Sequence, residues 1–145
     1  MSPNDRNAHS ASIEVAVPAE RAFAFMADGM KQNHWALGSQ DRKALGDNLF
    51  VGQSSFDGSD LYVKIDSYPD LLLVDYSIGE TPESVSPAVE ARIRRGSWLG
   101  RGDDVSVITL TLWRWPFADQ DEWEMHYHLW KTEMHLIKGA IERGL

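Results

Sequence analysis

The chain contains no cysteine. That absence excludes a disulfide framework, a thiolate metal site and a cysteine nucleophile together. Basic residues are few: 14 Lys and Arg stand against 22 Asp and Glu, a formal charge of -8. Such a balance opposes general binding to a polyanion, so neither nucleic acid nor an acidic membrane is an expected partner. No apolar run approaches the roughly 18 residues that cross a bilayer. The opening Met1-Ser-Pro-Asn-Asp-Arg6 lacks the apolar centre of a signal peptide, and the expected location is the cytoplasm. Gly-rich phosphate loops, nucleophile elbows and dinucleotide fingerprints are all missing, so no cofactor is expected. What is present suffices for one core: 145 residues, 43% of them hydrophobic and 25% charged. A chain of this size removes roughly two thirds of its unfolded surface from water without needing metals or disulfides as staples.

Residues 1–10 are polar and aperiodic and are expected to form a flexible leader, with one domain over residues 11–145. Ile13, Val15 and Val17 then alternate with Ser12, Glu14 and Ala16, the period of a half-buried strand. Pro18 stops it and opens a short helix that carries Ala22, Phe23, Phe25 and Met26 and ends at Gly29. Met30 to Leu37 reads as a second short helix. After Gly38 the pattern is that of strands separated by turn residues, near Arg42 to Leu45, Phe50 to Phe56, Leu61 to Tyr68, Leu71 to Ile78, Val89 to Arg95 and Val105 to Trp115. Connections this short favour antiparallel neighbours, because a parallel pair needs a crossover of about a dozen residues.

From Asp119 to Arg143 the spacing predicts one long helix, capped by Asp119, with Asp121, Glu122 and Glu124 at the positive end of its dipole. Trp123, Tyr127, Trp130, Met134, Ile137 and Ile141 form a stripe that is expected to pack on the sheet.

This order of a strand, one or two short helices, an antiparallel meander and a long C-terminal helix resembles the α+β helix-grip fold of the SRPBCC superfamily. That superfamily includes START lipid-transfer domains, birch-pollen-allergen-like proteins and polyketide cyclase/dehydrase-like proteins. The resemblance is carried by Ser12-Ile-Glu-Val-Ala-Val-Pro-Ala-Glu-Arg-Ala-Phe-Ala-Phe-Met-Ala-Asp28 and by Val105-Ser-Val-Ile-Thr-Leu-Thr-Leu-Trp-Arg-Trp-Pro116. It covers nearly the whole chain from Ala11 onward and specifies a fold far better than an activity. It implies a curved antiparallel sheet wrapped around the C-terminal helix, with a small-molecule cavity between them. It also implies a choice of functions. Binding or carriage of a small hydrophobic molecule comes first, a cyclase- or dehydrase-like enzyme second, and a chaperone-cofactor or other interaction module third.

The expected lining of that cavity is Tyr127, Trp130, Met134 and Ile137 from the helix with Tyr76, Ile108 and Leu110 from strands. On a helical wheel His126 and Glu133 fall inside the apolar arc of the helix, seven positions and roughly 10 Å apart along its axis. Two polar groups there carry a desolvation cost unless something bonds them. Either a strand residue such as Arg92, Arg94 or Tyr76, or water, satisfies them, or they line a ligand site and are the candidate acid and base. Arg92 and Tyr76 are the candidate oxyanion stabilisers. Arg92 and Arg94 share one face of their strand and Arg95 takes the other, while Val89, Ala91 and Ile93 suggest that the arginine face is not the buried one. His126 and His128 point about 200° apart and cannot chelate together; Glu124 and His128 lie on the opposite face, so no metal is expected. Trp98, beside a glycine-rich turn, is the candidate for a pocket mouth or contact surface, and Trp113 and Trp115 are expected to share a face.

Overall fold

The computed structural model describes residues 5–145, so the first four residues of the expected leader lie outside the described part. Seven strands form one antiparallel sheet: β1 (Ala8–Val15), β2 (Ser39–Gly46), β3 (Leu49–Ser54), β4 (Asp60–Tyr68), β5 (Leu73–Gly79), β6 (Ser86–Arg95) and β7 (Ser106–Trp113). Their spatial order is β1-β7-β6-β5-β4-β3-β2. Helix α1 (Ala19–Ala27) and a 3-10 segment (Gly29–His34) separate β1 from β2, and the long helix α2 (Gln120–Glu142) ends the chain. This is the helix-grip α+β architecture. Its core is continuous and includes Met26 from α1, Tyr76, Ile93, Ile108 and Leu110 from the sheet, and Ile137 and Ile141 from α2.

Alternation along each strand decides what meets the helices. In β6 the buried Ala91 and Ile93 face inward, while Arg92 stands in the outward row with Thr109 and Ser12. Small hydroxyl pairs stitch that outer face: Ser12 to Thr109 at 2.7 Å and Ser10 to Thr111 at 3.1 Å. At the opposite end of β6, Arg95 turns to α1 and pairs with Glu20.

Several strand ends shift by up to three residues, β2 and β6 each starting three earlier than expected, and four further differences change which element or face a residue belongs to. The first strand begins at Ala8 and not at Ala11, with Ala8 opposite Trp113. His9 occupies an inward position ahead of Ala11, Ile13 and Val15, and a polar residue on the inner face hides the alternation. The second short helix is a 3-10 segment that ends at His34. Leu71 belongs to a 3-10 turn closed by Leu72 in the left-handed conformation, so β5 starts at Leu73. The last strand stops at Trp113, which is half exposed; beyond it the chain turns, and Trp115 points inward. The two indoles therefore do not share a face.

In α2 the Asp119 side chain accepts the Glu122 N–H at 2.8 Å, as a cap should. The buried stripe is Trp123, His126, Trp130, Glu133, Met134, Ile137, Ala140 and Ile141. Its centre runs through Trp130 and Ile137, His126 and Glu133 lie within it on one side, and Tyr127 falls off the other edge at 49% exposure.

Candidate functional site

A cavity lies between α2, the inner face of the sheet and the segment that joins the 3-10 turn to β2. Its apolar walls come from Leu61, Val63, Ile78, Leu110 and Leu112, closed at the sides by Trp35 and Trp115. The space open to water centres is about 60 Å³. At a water's liquid share of about 30 Å³ this holds about two waters, and because the cavity is partly open to solvent, a ring-sized occupant would extend toward its mouth.

Its polar groups come from four elements. His126 and Glu133 both reach it from α2, and both are buried. Glu133 Oε2 accepts the backbone N–H of Leu37 at 2.9 Å. His126 packs edge-on against Trp115, ring centres 4.7 Å apart, and its Nδ1 has no protein partner. Tyr76 from β5 is fully buried and lines the cavity, but its hydroxyl donates to the carbonyl of Met26. That bond removes Tyr76 from the expected oxyanion role. Gln32 enters from the 3-10 turn with an unpartnered Oε1.

Sequence reasoning missed the fourth contributor, Arg42, which is 4% exposed at the cavity wall. Regular alternation from the buried Ser39 would send residue 41 inward and Arg42 out. A bulge between Gln40 and Lys43, with Asp41 at φ 53°, inserts one residue and reverses that sense. The bulge is held by Asn33, whose side chain takes both backbone groups of Arg42, accepting its N–H at 3.0 Å and donating to its carbonyl at 3.3 Å. Arg42 Nη2 donates to Ser39, while Nε and Nη1 are buried without a protein partner. An isolated Asp41-Arg42-Lys43 triplet reads as exposed, and only the left-handed preference of Asp hints at a bulge.

Burial sets the charges. It pushes the Glu133 carboxyl up to about 7, opposed by the Leu37 N–H and by Arg42. It pulls Arg42 down to about 10, opposed by Glu133, so the guanidinium stays charged at neutral pH. It pulls His126 down to about 4, helped by His9, so that imidazole is neutral. Burial likewise raises the Tyr76 phenol beyond any physiological titration. At pH 7 the cavity thus presents one fixed cation, one neutral imidazole and one carboxyl poised between its two states. Glu133 is the group able to give or take a proton there, and Arg42 the group able to stabilise negative charge.

Other expected site residues lie elsewhere. Trp130, Met134, Ile137 and Ile108 are buried in the core beside the cavity and do not line it. Tyr127 is exposed, stacked edge-on with His9 and His128. Arg92 is on the outer face of the sheet, and neither it nor Arg94 meets His126 or Glu133. Trp98 is exposed beside Arg95, away from the cavity lining. No group of three or more metal-ligating side chains is found among the described residues.

Gly38 covers His126 closely: a Cβ at this position would lie 2.7 Å from His126 Cε1. With the ring boxed by Trp115, Gly38→Ala is expected to cost about 1–3 kcal/mol in denaturant unfolding through overpacking. A loss below about 0.5 kcal/mol would show that the ring swings freely into the cavity.

No family model matches the sequence, and no curated protein matches it. Solved structures do match the fold. A START superfamily protein from Mycobacterium smegmatis superposes with a TM-score of 0.68 at 13% identity, covering 94% of this chain and 97% of that one. The ZhuI aromatase/cyclase from Streptomyces sp. R1128 gives 0.66 at 16% identity, with 94% and 93% covered. An Aha1 protein from Colwellia psychrerythraea gives 0.62 at 15%, with 94% and 97% covered. These likenesses show the fold, a curved antiparallel sheet around a long C-terminal helix, the helix-grip architecture. Among the described residues no helix is long and apolar enough to cross a membrane.

Proposed function

We propose that this protein binds or carries a small, largely apolar molecule in the cavity between α2 and the sheet, and that it works in the cytoplasm. One observation carries the reading. Nine buried side-chain polar atoms among the described residues lack a protein hydrogen-bond partner, and six of them belong to cavity-lining residues: Gln32, Trp35, Arg42 with two, Trp115 and His126. Each would cost about 1–3 kcal/mol if left unpaired, so a solid core does not account for them. An apolar chamber with a few convergent polar groups is the usual form of a small-molecule site.

Toluene and phenol, titrated while Trp emission is followed, should give saturable changes, because Trp35 and Trp115 form the walls. His126→Leu should retain the melting temperature, since His126 Nδ1 strands no protein partner, while phenol binding weakens several-fold. No saturable response to either probe would end the proposal.

A second reading has a specific observation behind it. A carboxyl poised at about 7 in the same cavity as a buried guanidinium is the equipment of an acid–base enzyme acting on an enolisable substrate, and one of the similar folds belongs to an aromatase/cyclase. Mass spectrometry of molecules that co-purify with the protein separates the two. A ligand returned unchanged after incubation supports the carrier, and a converted one supports the enzyme.

A further inference from the structure

The cavity has more donors to offer than acceptors. Arg42 Nε and Nη1, Trp35 Nε1 and Trp115 Nε1 are buried N–H groups without protein partners. The acceptors at the cavity are the Gln32 Oε1, one ring nitrogen of the neutral His126 and the Glu133 carboxyl, the last already accepting from Leu37. Arg42 and Glu133 influence one another across the cavity, yet no direct ion pair joins them. The guanidinium is therefore a buried cation whose counter-charge sits at a distance and whose hydrogen-bonding capacity is largely unspent. An acceptor-rich occupant suits such a lining, and a carboxylate suits it best.

Charge arithmetic adds a condition. One cation whose group is buried, as Arg42 is, is neutralised by one anion. A ligand carboxylate beside an ionised Glu133 would leave a net negative charge buried, which costs several kcal/mol by the usual penalty for an uncompensated ion. The groups available to relieve it are the titratable ones that line the cavity: Arg42 from β2, Tyr76 from β5, and His126 and Glu133 from α2. Tyr76 is a neutral phenol committed to Met26, Arg42 is already charged, and His126 resists protonation because of its burial and the neighbouring His9. Glu133 is left.

Resting on the ligand-binding reading above, we propose that the cavity takes small, mainly apolar carboxylates of about one ring, and that each enters with one proton. Glu133 holds the proton, and the ligand carboxylate replaces Glu133 as the counter-charge of Arg42. The proton comes from solvent, and the protonated carboxyl still accepts the Leu37 N–H through its carbonyl oxygen. Because free Glu133 titrates near 7, affinity should fall about tenfold between pH 6 and pH 8 while the ligand itself stays ionised.

Calorimetry with benzoate, benzamide and toluene tests this. At pH 8, titrations of the wild type in two buffers of different ionisation enthalpy should report close to one proton taken up per benzoate bound and none per toluene. At pH 6 benzoate should bind at least tenfold more tightly than benzamide. Glu133→Gln should bind benzoate with equal affinity at both pH values and without proton uptake. Arg42→Gln, checked for folding by circular dichroism, should lose the preference for benzoate while keeping toluene. Benzoate binding by the wild type without proton uptake overturns the proposal and needs no variant to fold. So does binding of toluene or benzamide but not benzoate, which leaves the apolar-cavity reading intact. If none of the three binds, both readings fall together.

Discussion

Glu133→Gln raises the stability of this protein increasingly as the pH is raised, to a plateau of about 3 kcal/mol above pH 7. The wild-type carboxyl titrates at about 7 in the folded chain and near 4.5 when unfolded. Between those values the folded state retains a proton that the unfolded state has released, so stability falls with rising pH. The contribution of the neutral buried carboxyl is complete below about 4.5 and is lost as the pH rises through about 7. Two and a half pKa units correspond to about 3 kcal/mol. Gln keeps the volume and accepts the Leu37 N–H through its amide oxygen, but has no charge to desolvate. His126 contributes with the opposite sign, since burial lowers it and its stabilisation disappears as the pH falls from 6.5 toward 4. It is present in both proteins and cancels in the comparison. Melting curves from pH 5 to pH 8 should therefore show a gap of less than a few degrees at the acid end that widens to roughly 6–12 °C at pH 8. A gap independent of pH would mean that Glu133 is not held protonated by its surroundings. Glu133→Leu is a less clean variant, because it strands the Leu37 N–H at a cost of about 1–3 kcal/mol.

Trp123→Ala is expected to destabilise the protein by about 3–5 kcal/mol. The indole is 4% exposed and holds three things together. It stacks on His9 of β1, ring centres 4.1 Å apart and planes within 8°. Its Nε1 donates to the carbonyl of Arg6 at 3.1 Å, and it meets Trp115 edge-to-face at 6.2 Å. Truncation removes the cover from the edge strand and the support behind one wall of the cavity. The melting temperature should drop by roughly 10 °C or more. His9, whose pKa burial now lowers, should return toward the ordinary imidazole value, which an NMR titration reads directly. A stability loss below about 1 kcal/mol with an unmoved His9 would show that the indole does not pack as described.

Both predictions rest on residues of α2, where the sequence was most informative. The apolar spacing placed that helix within one residue of its observed ends, and the Asp119 cap is made by the group expected. His126 and Glu133 stood out on the wheel because a polar residue on an apolar arc is a local anomaly, visible without any partner. The phase of the arc was harder. Tyr127 was counted into the stripe because it is aromatic, yet it lies at the edge of the buried face, half exposed, with its ring meeting His9 of β1 edge-on.

What the sequence determined by itself was the order of the elements, their antiparallel connection and the identity of two polar groups that line the cavity. These follow from short-range periodicity, turn residues and capping, which each segment carries in its own few residues. Tertiary structure alone decided what those two groups face. Arg92 is turned outward by the pleat of β6, while Arg42 is turned inward by one inserted residue in β2. That inversion depends on Asn33 bonding the bulge from a separate segment and on Ser39 receiving the guanidinium. The cavity charge arises the same way: Glu133 owes its raised pKa to the walls closed around it by β2, β5 and the Leu37 segment. Burial is a property of the assembled surfaces, and no stretch of the chain contains it before they meet.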